Sequence, residues 1–207
     1  MFQFGRDFGP ALYPTALAGA HQKDNAAVAV QLVRAASRQL GRSIGDRVIA
    51  RGLETVRWPG RCERVGADLL FDCAHNADGA RALAATLPAL ASGRRVVLLL
   101  SIVGDKDVAA MLEALAPAAS AVVTTRSDNP RALPAGELAA TAGRFIGDAV
   151  ACDDPAAALE EARRRAGEGG LVVVCGSMFL VGQLRARVLG EAVDPVRTSD
   201  PVSPPAR

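Results

Sequence analysis

The sequence predicts an α/β fold: a mostly parallel sheet with helices on both faces, preceded by a small, mainly helical segment. Three observations predict it. Short apolar runs recur after residue 58, namely Leu69-Leu70-Phe71, Val96-Val97-Leu98-Leu99-Leu100, Ala121-Val122-Val123 and Leu171-Val172-Val173-Val174. Their length and β-branched content are those of strands buried on both faces. Segments of helical pattern separate the runs, and strands alternating with helices build parallel sheets. Before Trp58 the pattern is helical instead, so the texture changes there.

Taken in order, residues 1–20 are irregular, with Gly5, Gly9, Pro10, Pro14 and Gly19 as breakers. A helix is expected from Asp24, with Asp24 or Asn25 as its cap. Ala26, Val30, Val33 and Leu40 follow at near-helical spacing, and Gly41 stops it. A second, short helix covers Asp46 to Leu53. Trp58-Pro59-Gly60-Arg61 breaks the pattern, since Pro and Gly both oppose helix continuation, and a domain boundary is placed there, dividing 1–57 from 58–190. Alternation over Arg61–Val65 predicts an edge strand beside Leu69–Phe71, and Ala149-Val150-Ala151 a further short strand. Helices are expected at Ala77–Leu90, Val108–Ala116, Pro134–Ala142, Pro155–Ala166 and Phe179–Leu189, completing a Rossmann-like arrangement. Residues 191–207 are rich in Pro, Ser and Asp and read as a disordered tail.

The chain has 207 residues, half of them apolar, and only 4% aromatics, so Ala, Val and Leu must fill the core. The net charge is +2, and the charges are interspersed. With no basic stripe carrying aromatics, nucleic acid is not expected as a partner. The run Arg163-Arg164-Arg165 reads as a solvated helix face. Cys62, Cys73, Cys152 and Cys175 show no C-x-x-C spacing, which argues against a structural zinc site and for reduced cysteines in a cytoplasmic protein. No secretory signal is expected, and no apolar run approaches the roughly 20 residues of a membrane helix.

Polar residues collect in the turns after the strands: Asp72, His75 and Asn76; Gly104-Asp105-Lys106-Asp107; Thr124 to Arg131; Gly176-Ser177. In a parallel sheet these turns share the edge where ligands bind. Each alone reads equally well as a helix cap or a tight turn; four on one edge point to a binding edge. The His75 imidazole suits a carboxylate or phosphate, and Asp72 suits the tautomer of that ring or a ribose hydroxyl. His21-Gln22-Lys23-Asp24-Asn25 opens a helix, whose N-terminus suits an anion or a polar ring edge. The Asn25 side chain offers both donor and acceptor, as an adenine edge requires. No G-x-x-x-x-G-K-[ST] phosphate loop occurs in the chain, and no G-x-G-x-x-G follows a strand, which argues against a dinucleotide enzyme built on Asp72 and His75.

The ordered set is more specific than its parts: Gly5-Arg6-Asp7-Phe8, His21-Gln-x-x-Asn25, Trp58-Pro-Gly-Arg61, Asp72-x-Ala-His75-Asn76, Asp105-Lys106-Asp107 and Gly176-Ser177. It resembles the folylpolyglutamate synthase/dihydrofolate synthase family of the Mur ligase superfamily, in its C-terminal part. The resemblance implies an ATP-dependent ligase that activates a carboxylate of dihydropteroate or a folate as an acyl phosphate and joins it to L-glutamate. It implies ATP and Mg as cofactors, with residues 1–57 a remnant of the central ATPase domain and 58–190 the C-terminal domain. By resemblance Asn25 contacts adenine, Arg61 the ATP phosphates and Asp72 the nucleotide, while His75 and Ser177 position glutamate or the acyl-phosphate end. The family usually has Gly where Cys73 stands. Because the phosphate loop and the magnesium ligands are not in this sequence, the chain alone is expected to be inactive and to depend on an ATPase domain or subunit. The alternative is a non-catalytic binding or regulatory protein that keeps the ligase fold.

Overall fold

The computed structural model describes residues 13–192. The Gly5-Arg6-Asp7-Phe8 segment and the expected tail from residue 193 onward lie outside the described residues. Two helices come first, α1 (Ala20–Gln39) and α2 (Asp46–Thr55). The sheet and its helices follow as β1 (Glu63–Val65), β2 (Leu69–Phe71), α3 (Ala77–Ala91), β3 (Val96–Leu100) and α4 (Val108–Leu115). They continue with a 3₁₀ turn at Ala116–Ala118, β4 (Ala121–Thr124), α5 (Ala135–Ala142), β5 (Ala149–Ala151), α6 (Pro155–Ala166), β6 (Leu171–Cys175) and α7 (Met178–Leu189).

The strands form one six-stranded sheet in the order β1-β2-β6-β3-β4-β5. Only the β1–β2 pair is antiparallel, with Glu63 opposite Phe71 and Val65 opposite Leu69; the other pairs are parallel. Strands β2, β3, β4 and β6 are fully buried, and period-2 alternation divides their side chains between two cores. Leu70, Leu98, Leu100, Val122 and Val173 face α3, α4 and α5, where Leu83, Leu87, Met111, Leu112 and Leu138 meet them. Leu69, Phe71, Val97, Leu99, Val123, Val172 and Val174 face α6 and α7, where Leu159, Leu180 and Leu184 meet them. The expected helices on both faces are therefore present.

Local chemistry sets the helix starts. Asn76, Asp107, Asp154 and Ser177 each accept a backbone N–H as the caps of α3, α4, α6 and α7, and Pro155 stands in the first turn of α6, where its missing N–H costs nothing. One expected start is corrected. Helix α1 begins at Ala20 with Gly19 as its cap residue and no side-chain capping bond. Asp24 and Asn25 therefore sit a turn inside it. The first turn closes on the backbone alone, Gln22 N donating to Gly19 O at 3.1 Å. The expected edge strand is shorter than its alternation, because Cys62 takes a left-handed φ of 46° and ends the extended run.

The arginine run on α6 is also more tied than a solvated face. Arg163 bonds Asp68 at 2.9 Å, Arg164 bonds Glu161 at 2.6 Å, and Arg165 bonds both Glu161 and Asp148. Among the described residues no helix is long and apolar enough to cross a membrane.

Candidate functional site

The Trp58–Cys62 segment is held against the carboxyl end of β2 by backbone and by one carboxylate. Cys73 N donates to Gly60 O at 2.7 Å. Asp72 Oδ2 accepts from Cys62 N at 2.9 Å and from the Cys62 thiol at 3.3 Å, while Oδ1 accepts from Ala74 N at 2.8 Å. Gly60 N donates to Glu63 Oε2, which also takes Arg185 Nε from α7, both at 2.8 Å. Gly60 has φ +70°, and a Cβ there would stand 2.6 Å from Cys73 Sγ. The Cys73 thiol thus occupies space that the missing Cβ leaves. Burial, with the Asp72 charge adding, pushes the Cys62, Cys73 and Cys175 thiols up, so all three stay protonated at neutral pH and serve packing and donation.

Arg61 sits between the two pinned residues with its side chain exposed. With Trp58 it forms one wall of a groove of about 270 Å³, slightly below the roughly 300–1,000 Å³ span of small-molecule sites. Gln22, Asn25 and Ala26 of α1 form the opposite wall, and Leu53 of α2 closes it. The fold therefore brings Asn25 and Arg61, far apart in sequence, to one cavity. Asn25 Nδ2 donates to Gln22 Oε1 at 3.1 Å, and Gln22 Nε2 meets His21 Nε2 at 2.9 Å. A larger cleft of about 990 Å³ adjoins the groove through Thr15, Leu17 and Ala26. It runs between α1 and α3 and carries His21, Lys23 and Arg81.

Asp72 does not line the groove. Its oxygens fix Cys62 and hence Arg61, so it acts on the groove through that segment. The expected Asp72–His75 bond is absent: His75 Nδ1 meets Cys73 O at 2.8 Å. A carbonyl only accepts, so Nδ1 carries the proton and the neutral ring presents Nε2 as an acceptor. Ser177 is buried, and its hydroxyl accepts from Phe179 N at 3.2 Å and Leu180 N at 3.5 Å. Its turn lies beside that of His75, since Gly176 N donates to Ala74 O at 2.8 Å. Gly176, at φ +89°, packs closely on the chain after β3: a Cβ there would lie 2.7 Å from Ser101 O. The Asp105-Lys106-Asp107 turn is used locally, Asp107 capping α4 and Asp105 pairing with Arg131 at 3.3 Å.

The motif reading gave three participants no role, although Gln22 and Trp58 stand inside its motifs. Trp58 and Gln22 line the groove, and Cys62 transmits the Asp72 bond. Gln22 had a readable signal, lying three residues before Asn25 on one helix face; Cys62 had none, because its part depends on a turn that only the tertiary structure forms.

Residues 60–178 match the family model described as Mur ligase, glutamate ligase domain. The chain belongs to this family. Among curated relatives of this Mur ligase domain, the dihydrofolate synthase/folylpolyglutamate synthase of Mycobacterium tuberculosis is 44% identical over 138 residues, covering 63% of this chain and 28% of the relative. The crystal structure of M. tuberculosis folylpolyglutamate synthase complexed with ADP and AMPPCP superposes with a TM-score of 0.77 at 31% identity, over 88% of this chain and 43% of that one. The bifunctional folylpolyglutamate synthase/dihydrofolate synthase of Yersinia pestis, complexed with AMPPNP and Mn ion, gives 0.62 at 27% identity, over 71% and 35%. The chain thus spans less than half the length of each of these relatives.

Proposed function

We propose that this chain is the C-terminal portion of an ATP-dependent ligase that adds L-glutamate to dihydropteroate or a folate through an acyl phosphate. In this reading residues 1–57 belong with an ATPase domain and 58–190 form the Mur-ligase-type C-terminal domain. The observation that carries it is the groove shared by Asn25 and Arg61, with the Asp72–His75 turn tied to its wall. In this reading the purine lies between Asn25 and Trp58, both of which line the groove. The Arg61 guanidinium, permanently charged, is placed for the phosphates. Asp72 holds the segment that presents Arg61, and the nucleotide contact suggested by resemblance would be made from that position. His75 Nε2 is an acceptor for the amine of an incoming amino acid, and Ser177 shapes the turn beside it. ATP, when bound, supplies the phosphoryl group that activates the carboxylate.

A nucleotide-bound Mg needs only one or two carboxylates besides the phosphates, and no residue of this chain is assigned to it. Among the described residues no group of three or more His, Cys, Asp or Glu is arranged to hold an ion, so no step is assigned to Mg here. The 207-residue sequence also contains no phosphate loop. The chain alone is therefore expected to bind nucleotide only weakly and without turnover, and to need an ATPase domain on the same or another polypeptide.

The single tryptophan lies in the groove and makes the test direct. ADP titrated into the purified chain should change Trp58 fluorescence saturably. Arg61→Ala and Asp72→Ala should each weaken binding about tenfold or more, the scale of a lost charged hydrogen bond. Equal affinity in all three proteins would remove the nucleotide assignment. Stoichiometric ADP and dihydrofolate from MgATP, dihydropteroate and glutamate would show that the lone chain is active after all.

One observation favours a second reading, a binding or regulatory protein that docks onto another ligase subunit. Of nine exposed large hydrophobic residues among the described residues, six lie before residue 60: Val28, Leu32, Leu40, Ile44, Val48 and Trp58. A partner retained without any effect on ligase turnover would support that reading.

A further inference from the structure

We infer that Gln22, with His21 behind it, is a positioning residue that sets which nucleobase the groove accepts, by fixing the orientation of the Asn25 amide. The inference rests on the nucleotide reading of the groove.

Gln22 is only 5% exposed, and both ends of its amide are engaged. Its Oε1 takes a hydrogen from Asn25 Nδ2 at 3.1 Å, and its Nε2 lies 2.9 Å from His21 Nε2. An amide nitrogen only donates, so His21 Nε2 is the acceptor and the neutral ring carries its proton on Nδ1. With His21 in that tautomer the chain runs one way: Gln22 donates to His21, and Asn25 donates to Gln22. One Asn25 hydrogen is consumed, and Asn25 Oδ1 stays free as an acceptor, with the second Nδ2 hydrogen beside it. Asn25 is on the wall of the groove with Arg61 and Trp58.

An acceptor beside a donor matches an edge with an exocyclic amino group next to a ring nitrogen lone pair, which is the adenine pattern. On its N1 edge hypoxanthine presents the reverse, a carbonyl beside a ring N–H. Turning the Asn25 amide by a half rotation would match hypoxanthine, but it would put Asn25 Oδ1 against Gln22 Oε1, two acceptors with no hydrogen between them. Gln22 relieves that contact by rotating only where the His21 proton moves to Nε2, so the Asn25 orientation and the His21 tautomer are coupled. The relay thus ties one of two Asn25 amide orientations to the Nδ1–H tautomer of His21, and a part-buried mismatch is the cost of the other.

The closing experiment uses the full chain, ADP and IDP, and three proteins. Wild type should bind ADP about tenfold more tightly than IDP, read by Trp58 fluorescence, the scale of one mismatched hydrogen bond. Gln22→Met keeps the length and removes both hydrogen bonds; the ADP:IDP ratio should fall towards one, with ADP itself still bound. Gln22→Glu keeps the acceptor facing Asn25 and should restore the preference, which a loss of packing alone would not. An unchanged ratio in Gln22→Met, or a Glu variant no better than Met, overturns the inference. A ligand-free readout separates it from the parent reading. At alkaline pH the ¹⁵N shifts of His21 should show the Nδ1–H form in wild type, and Gln22→Met should shift the tautomer balance. A wild-type ring in the Nε2–H form overturns the relay whether or not nucleotide binds. Failure of wild type to bind either nucleotide overturns both the nucleotide reading and the base selection that depends on it, even where the His21 signature is found.

Discussion

Asp72 and Arg61 are linked through Cys62 but differ in what they hold, and stability separates them. The Asp72 carboxylate satisfies Cys62 N, the Cys62 thiol and Ala74 N. Asp72→Ala leaves two part-buried backbone donors without it and should lower unfolding free energy by about 2–3 kcal/mol in urea, the scale of hydrogen bonds to a charged acceptor. Arg61 projects an exposed side chain, its backbone N–H held by Trp58 O at 3.2 Å. Arg61→Ala should stay within about 0.5 kcal/mol of wild type while weakening nucleotide binding. A large stability loss in Arg61→Ala would show that the guanidinium has a structural partner and would weaken the phosphate assignment. His75 shows the same scale of detail: the neighbouring carbonyl of Cys73, rather than the nearby carboxylate, sets its tautomer.

Helix α6 illustrates what one element contributes beyond its apolar stripe. Glu161 accepts from Arg164 and Arg165, and these bonds hold its carboxyl down at about 2. A depressed folded-state carboxylate contributes stability above its unfolded value near 4.5, and that contribution is lost as pH falls through the folded value. Thermal melting should therefore decline across roughly pH 4.5 to 2, and Glu161→Gln should flatten that part of the profile while leaving the shape above it unchanged. High salt should blunt the effect, since these pairs lie at the surface. An acid limb of identical steepness in the two proteins would assign the loss to other carboxylates.

Across the whole molecule, the two parts of the chain present different surfaces. The sheet is covered on both faces, so its four inner strands expose almost nothing. The α1–α2 pair has one buried stripe, Gln22, Ala26 and Val30 with Ile49, while Val28, Leu32 and Val48 remain open. An apolar surface of this kind favours association. The double variant Leu32→Ser, Val48→Ser should reduce concentration-dependent association in sedimentation velocity, with a change in folding stability of no more than about 1 kcal/mol. Unaltered self-association, or a monomer at every concentration before mutation, would count against an interaction role for this face.

The sequence alone determined the alternation of strands and helices, because period-2 and period-3.6 patterns are written locally. The bounds of β2, β3, β5 and α6 were legible from apolar runs and from Pro155. The ordered motifs were also legible, and with them the ligase family. The start of α1 was not, since Gly19 and the Ala20 turn need no capping side chain and leave no capping signal. The strand order was not either: β6 enters between β2 and β3, and pairing between distant segments has no local signature. The same distance hid the groove. Tertiary structure alone put Asn25 beside Arg61, gave Asp72 to Cys62 rather than to His75, and turned Ser177 into a helix cap. Residue chemistry says what a side chain can bond; only the packed chain decides which partner reaches it.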